Sequence, residues 1–373
     1  MANGYCPALL AHIQDVAEGN APGKKIHLAG FLKMLFCCQN SSVSPINQGN
    51  LDTGHYRGLT VKYRQRPTDV HVDDEDSCEV NRIPSYNEWN VPVLLFRKTS
   101  FFISDNEIAQ YCEDASAKAN LGGKAPSGFM KEHYELFVEH ANILLKSVNT
   151  ALVNLMATKF GKNIVTGSAS PTTINIKPTG ANLELDAGII KLLADIRDNE
   201  ICDEPCLVGG GLMANYDMAR IAQCCSAAGV DASRFGIPQF MYDRTTQEQW
   251  GLNTFGVFAK GSVKLLSRNV YVGNFAGQKG NSVFFNVPFP VAEFNCVDMA
   301  ECLNDLAIDI QMRYIDCPTE VDLNGQPTTV NRGWQVILSK RFNLWVQPTN
   351  AYSTGDPLDG SNGTLIYRVT NNA

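Results

Sequence analysis

The sequence predicts an α+β protein of several lobes organised around one long helix. Three observations carry that prediction. Apolar residues recur in steps of three and four from about Gly128 to Lys162. Residues 57–104 hold β-branched and aromatic runs with strand periodicity. After residue 163 short strands alternate with helices, and after 301 the pattern becomes mostly β. The chain has 373 residues and is 44% hydrophobic. That length supports about two or three compact lobes with a sizeable core, and the composition argues against general disorder.

In chain order, residues 1–56 read as an arm with two short helices, Pro7–Glu18 and Leu28–Cys38, separated by a Gly-containing break at 19–23. Gln39–Gly54, rich in Ser, Asn and Gly, reads as an extended connector. In the excursion 57–104, Leu59–Arg66 alternates Leu59, Val61 and Tyr63 with polar residues, and Val91–Ile103 is a second strand-like run. Between them lies an acidic tip, Asp73–Asp76. A long two-stranded ribbon of this kind cannot bury both its faces within its own chain, and isolated hairpins are marginal in water. It calls for a partner surface.

Asp105–Ala119 is expected to be a short helix capped by Ser104 or Asp105. The long helix then places Met130, Tyr134, Phe137, Val138, Ala141, Leu144, Leu145, Val148, Leu152, Leu155 and Met156 on one side. Neither Pro nor Gly interrupts Phe129–Phe160, and Gly161 stops it. At 1.5 Å per residue the rod is roughly 45–50 Å long, well beyond the usual three or four turns.

Residues 163–300 suggest helices at Leu185–Asn199 and Leu212–Ala228. Strands are expected at Pro205–Val208, Ile237–Tyr242, Gly256–Phe258 and Val263–Tyr271. Beyond 301 the strand candidates are Ile308–Ile315, Trp334–Leu338, Phe342–Val346 and Thr364–Thr370, with a short helix near Met299–Leu306. Turns are expected at Asp322–Gly325 and Asp359–Gly363, both rich in Asn, Asp and Gly.

A net charge of −7 with no dense Lys/Arg run disfavours a tight nucleic-acid-binding domain. The N-terminus lacks a secretory pattern, and no apolar run approaches the ~20 residues of a membrane span. A soluble protein made in a reducing cytoplasm is the expectation. Its 12 cysteines, including the pairs Cys37–Cys38 and Cys224–Cys225, are then expected to be reduced thiols.

Several motifs invite a chemical reading beside a plainer one. Val208-Gly209-Gly210-Gly211-Leu212-Met213-Ala214 fits G-x-G-x-x-A between strand and helix, and Asp231 follows about 20 residues on. However, Ser226–Ala232 is not strand-like, and the strand before the glycines is short. The plainer reading is a tight turn onto a packed helix. Cys202 and Cys206 form C-x3-C without a second pair or a His at zinc spacing. His12, His27, His55 and His71 lie in the arm and ribbon; His133 and His140, seven apart on the long helix, can face one side. No acidic pair completes a metal site with them. Asp73-Asp74-Glu75-Asp76 lacks the Gly and terminal Glu of a calcium loop, and reads as a solvated loop or as a contact for a basic patch on a neighbour. Trp334 and Trp345 are core aromatics or interface anchors. No G-x-S-x-G or Cys–His signature is present. The sequence thus assigns no catalytic, cofactor-binding or metal-ligating residue, and predicts a self-associating structural protein rather than an enzyme.

The order of parts resembles the major capsid protein of tailed bacteriophages, the Hong Kong 97-type fold. PCLVGGGLMANYDMARIAQ (205–223) resembles the strand–turn–helix of that family's axial domain. GVFAKGSVKLL (256–266) resembles a strand pair of the same lobe, and GWQVILSKRFNLWVQP (333–348) the late β segment of the peripheral domain. The resemblance implies an N-terminal arm (1–56), an extended β-ribbon loop (57–104) and a peripheral domain with the spine helix (105–165). An axial domain (166–300) and a β-rich return to the peripheral domain (301–373) would follow.

What the resemblance implies for function is a capsid subunit that self-assembles, as hexamers and pentamers, into an icosahedral virion shell around phage double-stranded DNA. Assembly would take place in the host cytoplasm. The wall would touch the packaged DNA only weakly, and no membrane would be involved. Scaffolding would come from a separate chain or be absent, since only about 56 weakly charged residues precede the ribbon; portal and decoration proteins would be further partners. Some members crosslink subunits through Lys and Asn. Lys62 and Lys98 lie in the ribbon, and nothing matches them to that chemistry. The alternatives are an encapsulin-like compartment shell, which shares the fold, and a dinucleotide-binding oxidoreductase using Gly209–Ala214.

Overall fold

The computed structural model describes residues 24–37, 44–45, 59–64, 86–91, 94–107, 109, 128–175, 191–199, 201, 205–215, 240–272, 276–289, 291, 306–349 and 360–370. In chain order its named elements begin with α1 (Gly30–Cys37), β1 (Ser44–Pro45), β2 (Leu59–Arg64), β3 (Tyr86–Val91), β4 (Leu95–Ser104) and α2 (Gly128–Met156). Next come β5 (Thr172–Asn175), β6 (Cys206–Gly209), β7 (Phe240–Tyr242), α3 (Arg244–Trp250), β8 (Thr254–Phe258) and β9 (Val263–Arg268). The last are β10 (Gly277–Lys279), β11 (Ser282–Val287), β12 (Ile308–Ile315), β13 (Thr319–Leu323), β14 (Gln326–Val330), β15 (Gly333–Val346) and β16 (Thr364–Thr370). The chain is α+β, as its sequence predicts. It divides into two compact units, one of residues 1–28, 95–148 and 267–343, the other of 29–94, 149–266 and 344–373.

The first unit is an antiparallel sheet with the order β10–β11–β12–β15–β4. Because side chains alternate along a strand, one face carries Phe101, Ile103, Ile310, Met312, Val336 and Leu338, all buried. The α2 residues of this unit cover that face. Phe101 meets Phe137 edge-on at 5.1 Å and His140 at 4.5 Å. Tyr134, Phe137, Val138, Ala141, Leu144, Leu145 and Val148 are buried, so the predicted stripe is the core face of the helix. Each such large side chain contributes about 1.5–3 kcal/mol.

The opposite face is partly covered. At one end the β13–β14 hairpin packs Val321 and Val330 on Ile315 and Phe102. Its Asn324-Gly325 turn has φ of 58° and 86°, the left-handed geometry that a two-residue hairpin needs. Asn324 also finishes the edge of β4: its Oδ1 accepts from Ser100 N at 2.7 Å and its Nδ2 donates to Ser100 O at 2.9 Å. A side-chain amide thereby takes the place of a further strand at that point. After β4 the chain turns helical at 105–107. Glu107 accepts from Ser104 N at 2.7 Å while its own amide donates to Ser104 Oγ, a capping box that confirms Ser104 as the cap.

The second unit holds a mixed sheet, β5–β16–β8–β6–β7, in which β5 runs parallel to β16 and β6 parallel to β7. Strands β6 and β8 are buried at every position, the mark of a sheet covered on both faces. One side packs Leu207, Val257, Leu365, Val369, Ile196 and Ile201, with Phe255 stacked on Tyr367 at 5.5 Å. Elsewhere in the unit Phe31, Phe160, Trp250 and Phe258 form an aromatic cluster, edge-on between Phe31 and both Trp250 and Phe258 and between Phe160 and Trp250, and tilted between Phe160 and Phe258.

The same unit carries the ribbon, β1–β2–β3, in which Leu59–Arg64 pairs with Val91–Tyr86. Its apolar anchor is Val61 against Leu94, Leu266 and Trp345, flanked by Tyr63 and Trp89. Lys159 sits 5.9 Å above the Trp89 ring.

Several expectations are corrected here. The run Val91–Ile103 does not form one ribbon strand: Tyr86–Val91 pairs with β2, while Leu95–Ser104 pairs with β15. The two share a β composition, and only the partner strand separates them. Trp334–Leu338 and Phe342–Val346 are one strand, β15, because the polar Ser339–Arg341 between them also pairs in the ladder. The long helix ends at Met156 rather than near Phe160. Phe160 turns into the Trp250–Phe258 cluster, and Gly161 N donates to Thr364 O at 3.1 Å. Helix α3 and strands β5 and β10, which sequence periodicity did not reveal, are short or exposed, and β11, also not revealed, is half-buried along most of its length. Pro7–Glu18 and most of the helices expected at 105–119 and 212–228 lie outside the described residues, as does the segment 299–305.

Candidate functional site

The Gly-rich motif is a turn filled by the protein itself. At Gly209 a Cβ would lie 2.4 Å from Phe255 Cβ, at Gly210 2.6 Å from Gln247 Nε2, and at Gly211 2.5 Å from Asn253 Oδ1. Gly211 has φ 65°, and Leu212 N donates to Asn253 Oδ1 at 3.3 Å. The glycines therefore serve the close approach of β8, of Gln247 on α3 and of Asn253 in the turn after it. Asp231 lies outside the described residues.

The other sequence candidates scatter. Cys206 is disulfide-bonded, which corrects at that position the expectation of reduced thiols; Cys202, Cys38, Cys224 and Cys225 lie outside the described residues. His12, His55, His71 and Asp73–Asp76 lie outside them too. On α2, His133 is buried and His140 half-buried. His140 Nδ1 is 3.0 Å from Thr99 Oγ1, and burial holds its pKa below the ordinary value against the pull of Glu139. Among the described residues no group of three His, Cys, Asp or Glu gathers as a metal site would require. Trp334 and Trp345 are buried, against Tyr314 at 5.2 Å and Tyr63 at 5.8 Å. Lys62 is exposed on the ribbon; Lys98 faces Asp322 at 3.6 Å beside a pocket of about 230 Å³ that Ser100, Arg313, Glu320 and Gln335 also line.

What the structure does assemble is a set of buried polar clamps. In the second unit Asp243, 3% exposed, accepts from Phe31 N at 3.0 Å, Asn149 Nδ2 at 2.8 Å and Thr245 N at 2.9 Å. Asn149 Oδ1 in turn accepts from Leu32 N at 2.9 Å. One carboxylate thus caps α1 and α3 together and ties both to the last turns of α2. In the first unit Asp309 is nearly inaccessible and accepts from Val270 N, Tyr271 N and Asn286 Nδ2 at 2.9–3.1 Å, fixing the loop after β9. Lys340, also buried, donates to Ala307 O and Asn269 Oδ1. Sequence reasoning missed Asp243 and Asp309. An Asp immediately before Arg-Thr-Thr is a legible cap signal for α3, but the partners on α1 and α2 are far off in sequence.

These clamps tie together segments that are distant in sequence. Among the described residues no helix is long and apolar enough to cross a membrane. Neither a family model nor a curated protein matches the chain. Among solved structures, the chain is similar to that of Mycobacterium phage Adephagia, with a TM-score of 0.44, 12% identity, and 94% of this chain and 92% of that one covered. It is also similar to the cyanophage A-1(L) capsid asymmetric unit (TM-score 0.42, 12% identity, 84% and 88% covered). A third is a virus-like particle from Pyrococcus furiosus (TM-score 0.35, 8% identity, 98% and 97% covered).

Proposed function

We propose that this chain is a structural subunit that self-assembles into a closed capsid shell, and that it carries no catalytic role. One observation bears most of the weight. The ribbon β1–β2–β3 is a separate sheet, bonded among the described strands only to itself, with a single apolar anchor around Val61 and Trp345. Two six-residue strands and a two-residue one are too small to be stable alone, so neighbouring copies complete the surface. The long helix on an antiparallel sheet supplies the stiff body such a subunit needs. The buried clamps at Asp243 and Asp309 hold arm and loop segments in place.

In this reading the shell is built from hexamers and pentamers, forms in the host cytoplasm and becomes the virion wall around packaged DNA. A net charge of −7 keeps adhesion to DNA phosphate weak. The ribbon lies over an adjacent copy, and scaffolding, portal and decoration proteins are separate chains. Electron microscopy of the purified protein, alone and with a candidate scaffolding chain, tests the reading. Closed particles or capsomer rings are expected. A chain that stays monomeric under every assembly condition overturns it, and particles loaded with a protein cargo instead of DNA shift it to a compartment shell.

A further inference from the structure

On the helix side of the first unit's sheet, a chain of hydrogen bonds fixes the state of one imidazole. His140 Nδ1 is 3.0 Å from Thr99 Oγ1, and Thr99 Oγ1 is 3.2 Å from Asn324 Oδ1. The Asn324 amide is held in one orientation, because its Oδ1 accepts from Ser100 N at 2.7 Å and its Nδ2 donates to Ser100 O at 2.9 Å. Thr99 has one hydroxyl proton, and an amide oxygen only accepts. That proton therefore goes to Asn324, and both contacts of Thr99 are hydrogen bonds only if His140 Nδ1 donates. The neutral ring is then the Nδ1–H tautomer, with its lone pair on Nε2. This Nε2 has no hydrogen-bond partner among the described residues and is not closed to solvent.

The bonds join α2, β4 and the β13–β14 turn, three pieces of the unit that are distant in sequence. Thr99 is 4% exposed, and the half-buried His140 ring lies against Phe101 at 4.5 Å. Little charge is at hand to welcome a second proton. Among the described residues Glu139 is the charge that acts on the ring, and Lys24 Nζ already holds it at 2.6 Å. Glu135, on the same helix, acts on Lys24, and His133 and Lys146 are the other ionisable groups along this stretch of α2. From the arm, His27 reaches α2 through its backbone amide, which donates to Asn142 Oδ1 at 2.9 Å. Lys98, next to Thr99, points to the opposite face of β4 and faces Asp322 of the hairpin at 3.6 Å. Burial holds the His140 pKa below its ordinary value, and Glu139 pulls the other way.

We propose that His140 is a proton-responsive pin: neutral, it ties α2 through Thr99 to the Asn324 turn, and proton uptake at Nε2 loosens that seam in mildly acidic solution. The added charge falls in a half-buried place, between a phenyl ring and a carboxylate that Lys24 already occupies. The folded pKa of His140 lies below the unfolded one. Its contribution to stability is therefore present above the unfolded pKa, about 6.5 for an imidazole, and is lost as pH falls through the folded pKa. The inference does not depend on the shell reading.

Two measurements on the full chain test it. Long-range proton–nitrogen NMR spectra of protein isotope-labelled at histidine, with His140 assigned through the His140→Gln variant, read the tautomer directly. At neutral pH Nδ1 is expected to carry the proton, whereas an imidazole free in water prefers Nε2. Thr99→Val removes the acceptor, and the Nδ1 preference should disappear with it. Hydrogen exchange followed by mass spectrometry reads the seam in peptides that span β4. In the parent, protection corrected for the intrinsic rate should fall by about tenfold or more between about pH 7.5 and about pH 5.5. In His140→Gln it should stay level. Circular dichroism confirms that each variant is folded; where His140→Gln is not, the tautomers of the parent and of Thr99→Val decide. The proposal is overturned by an Nε2–H ring in the parent, or by a tautomer that Thr99→Val leaves unchanged. It is also overturned by an equal acid loss of protection in the parent and in His140→Gln. Neither measurement needs particles to form, so failure of the shell reading would leave this inference standing.

Discussion

Two carboxylates of the second unit, Asp243 and Asp195, are almost equally buried, at 3% and 4% exposure, and their surroundings treat them in opposite ways. Asp243 receives three hydrogen bonds from three different segments. Asp195, on the helical segment 191–198, has an Oδ2 with no partner. Near it the Tyr367 hydroxyl is equally buried and equally unsatisfied; Asn163 interacts with that hydroxyl without reaching hydrogen-bond geometry. Burial pushes the Asp195 pKa up, Lys191 opposes this, and Asp198 adds to it; the Tyr367 pKa is raised by burial first and then by Asp195. The lesson is that burial alone does not make a carboxylate an organising residue. The donors that converge on it do.

Removing the satisfied partner gives the largest expected effect. Asp243→Ala strands the amides of Phe31 and Thr245 and the side chain of Asn149, and should cost about 3–5 kcal/mol. A lower urea midpoint with an unchanged slope is the signature. Asn149→Ala leaves Leu32 N without its acceptor and takes one donor from Asp243, so a loss of about 2 kcal/mol is expected in the same assay. A cost below about 0.5 kcal/mol for both would break the contrast, by showing that the clamp is not what holds α1.

The unsatisfied carboxylate should respond with the opposite sign. The folded pKa of Asp195 lies above its unfolded value, so its contribution is fully present below the unfolded pKa and is lost as pH rises through the folded one. Asp195→Asn removes a charge that is poorly accommodated at neutral pH, and should stabilise the second unit by about 1 kcal/mol there. That gain should shrink towards zero as the pH falls to the range where the parent carboxyl is protonated. Thermal melts of parent and variant across an acid-to-neutral series check this; a gain that does not change with pH would refute the role given to the charge. Tyr367→Phe is the smallest effect. It removes an unsatisfied hydroxyl from a stacked ring, and a change within about 0.5 kcal/mol of the parent is expected by chemical denaturation. A loss of several kcal/mol would mean that the hydroxyl is bonded after all.

The contrast also shows how far the sequence could be read. The long helix was legible because its stripe is local: Tyr134, Phe137, Val138, Ala141, Leu144, Leu145, Val148, Leu152 and Met156 all prove to be buried. The ribbon strand at Leu59, the turn at Asp322–Gly325 and the strands β12 and β16 were legible for the same reason, since period and turn chemistry are written within a few residues. The glycine run was legible as a turn, though not as one packed by Gln247 and Asn253.

Pairing was not legible. Leu95–Ser104 carries the same β composition as the ribbon strand before it, and nothing in either segment says that one joins β2 and the other β15. That choice is made by the complementarity of whole faces and by register, where a one-residue slip would turn every buried side chain to the other side. The clamps follow the same rule: Asp243 meets Asn149 across 94 positions and Phe31 across 212, and Asn324 meets Ser100 across 224. The sequence by itself determined the long helix, the longer strands such as β12 and β16, and that the chain holds a ribbon unable to bury both its faces within its own chain. Only the tertiary structure decided which strands pair and which buried charges are satisfied, because those depend on contacts that exist only once distant segments have been brought together.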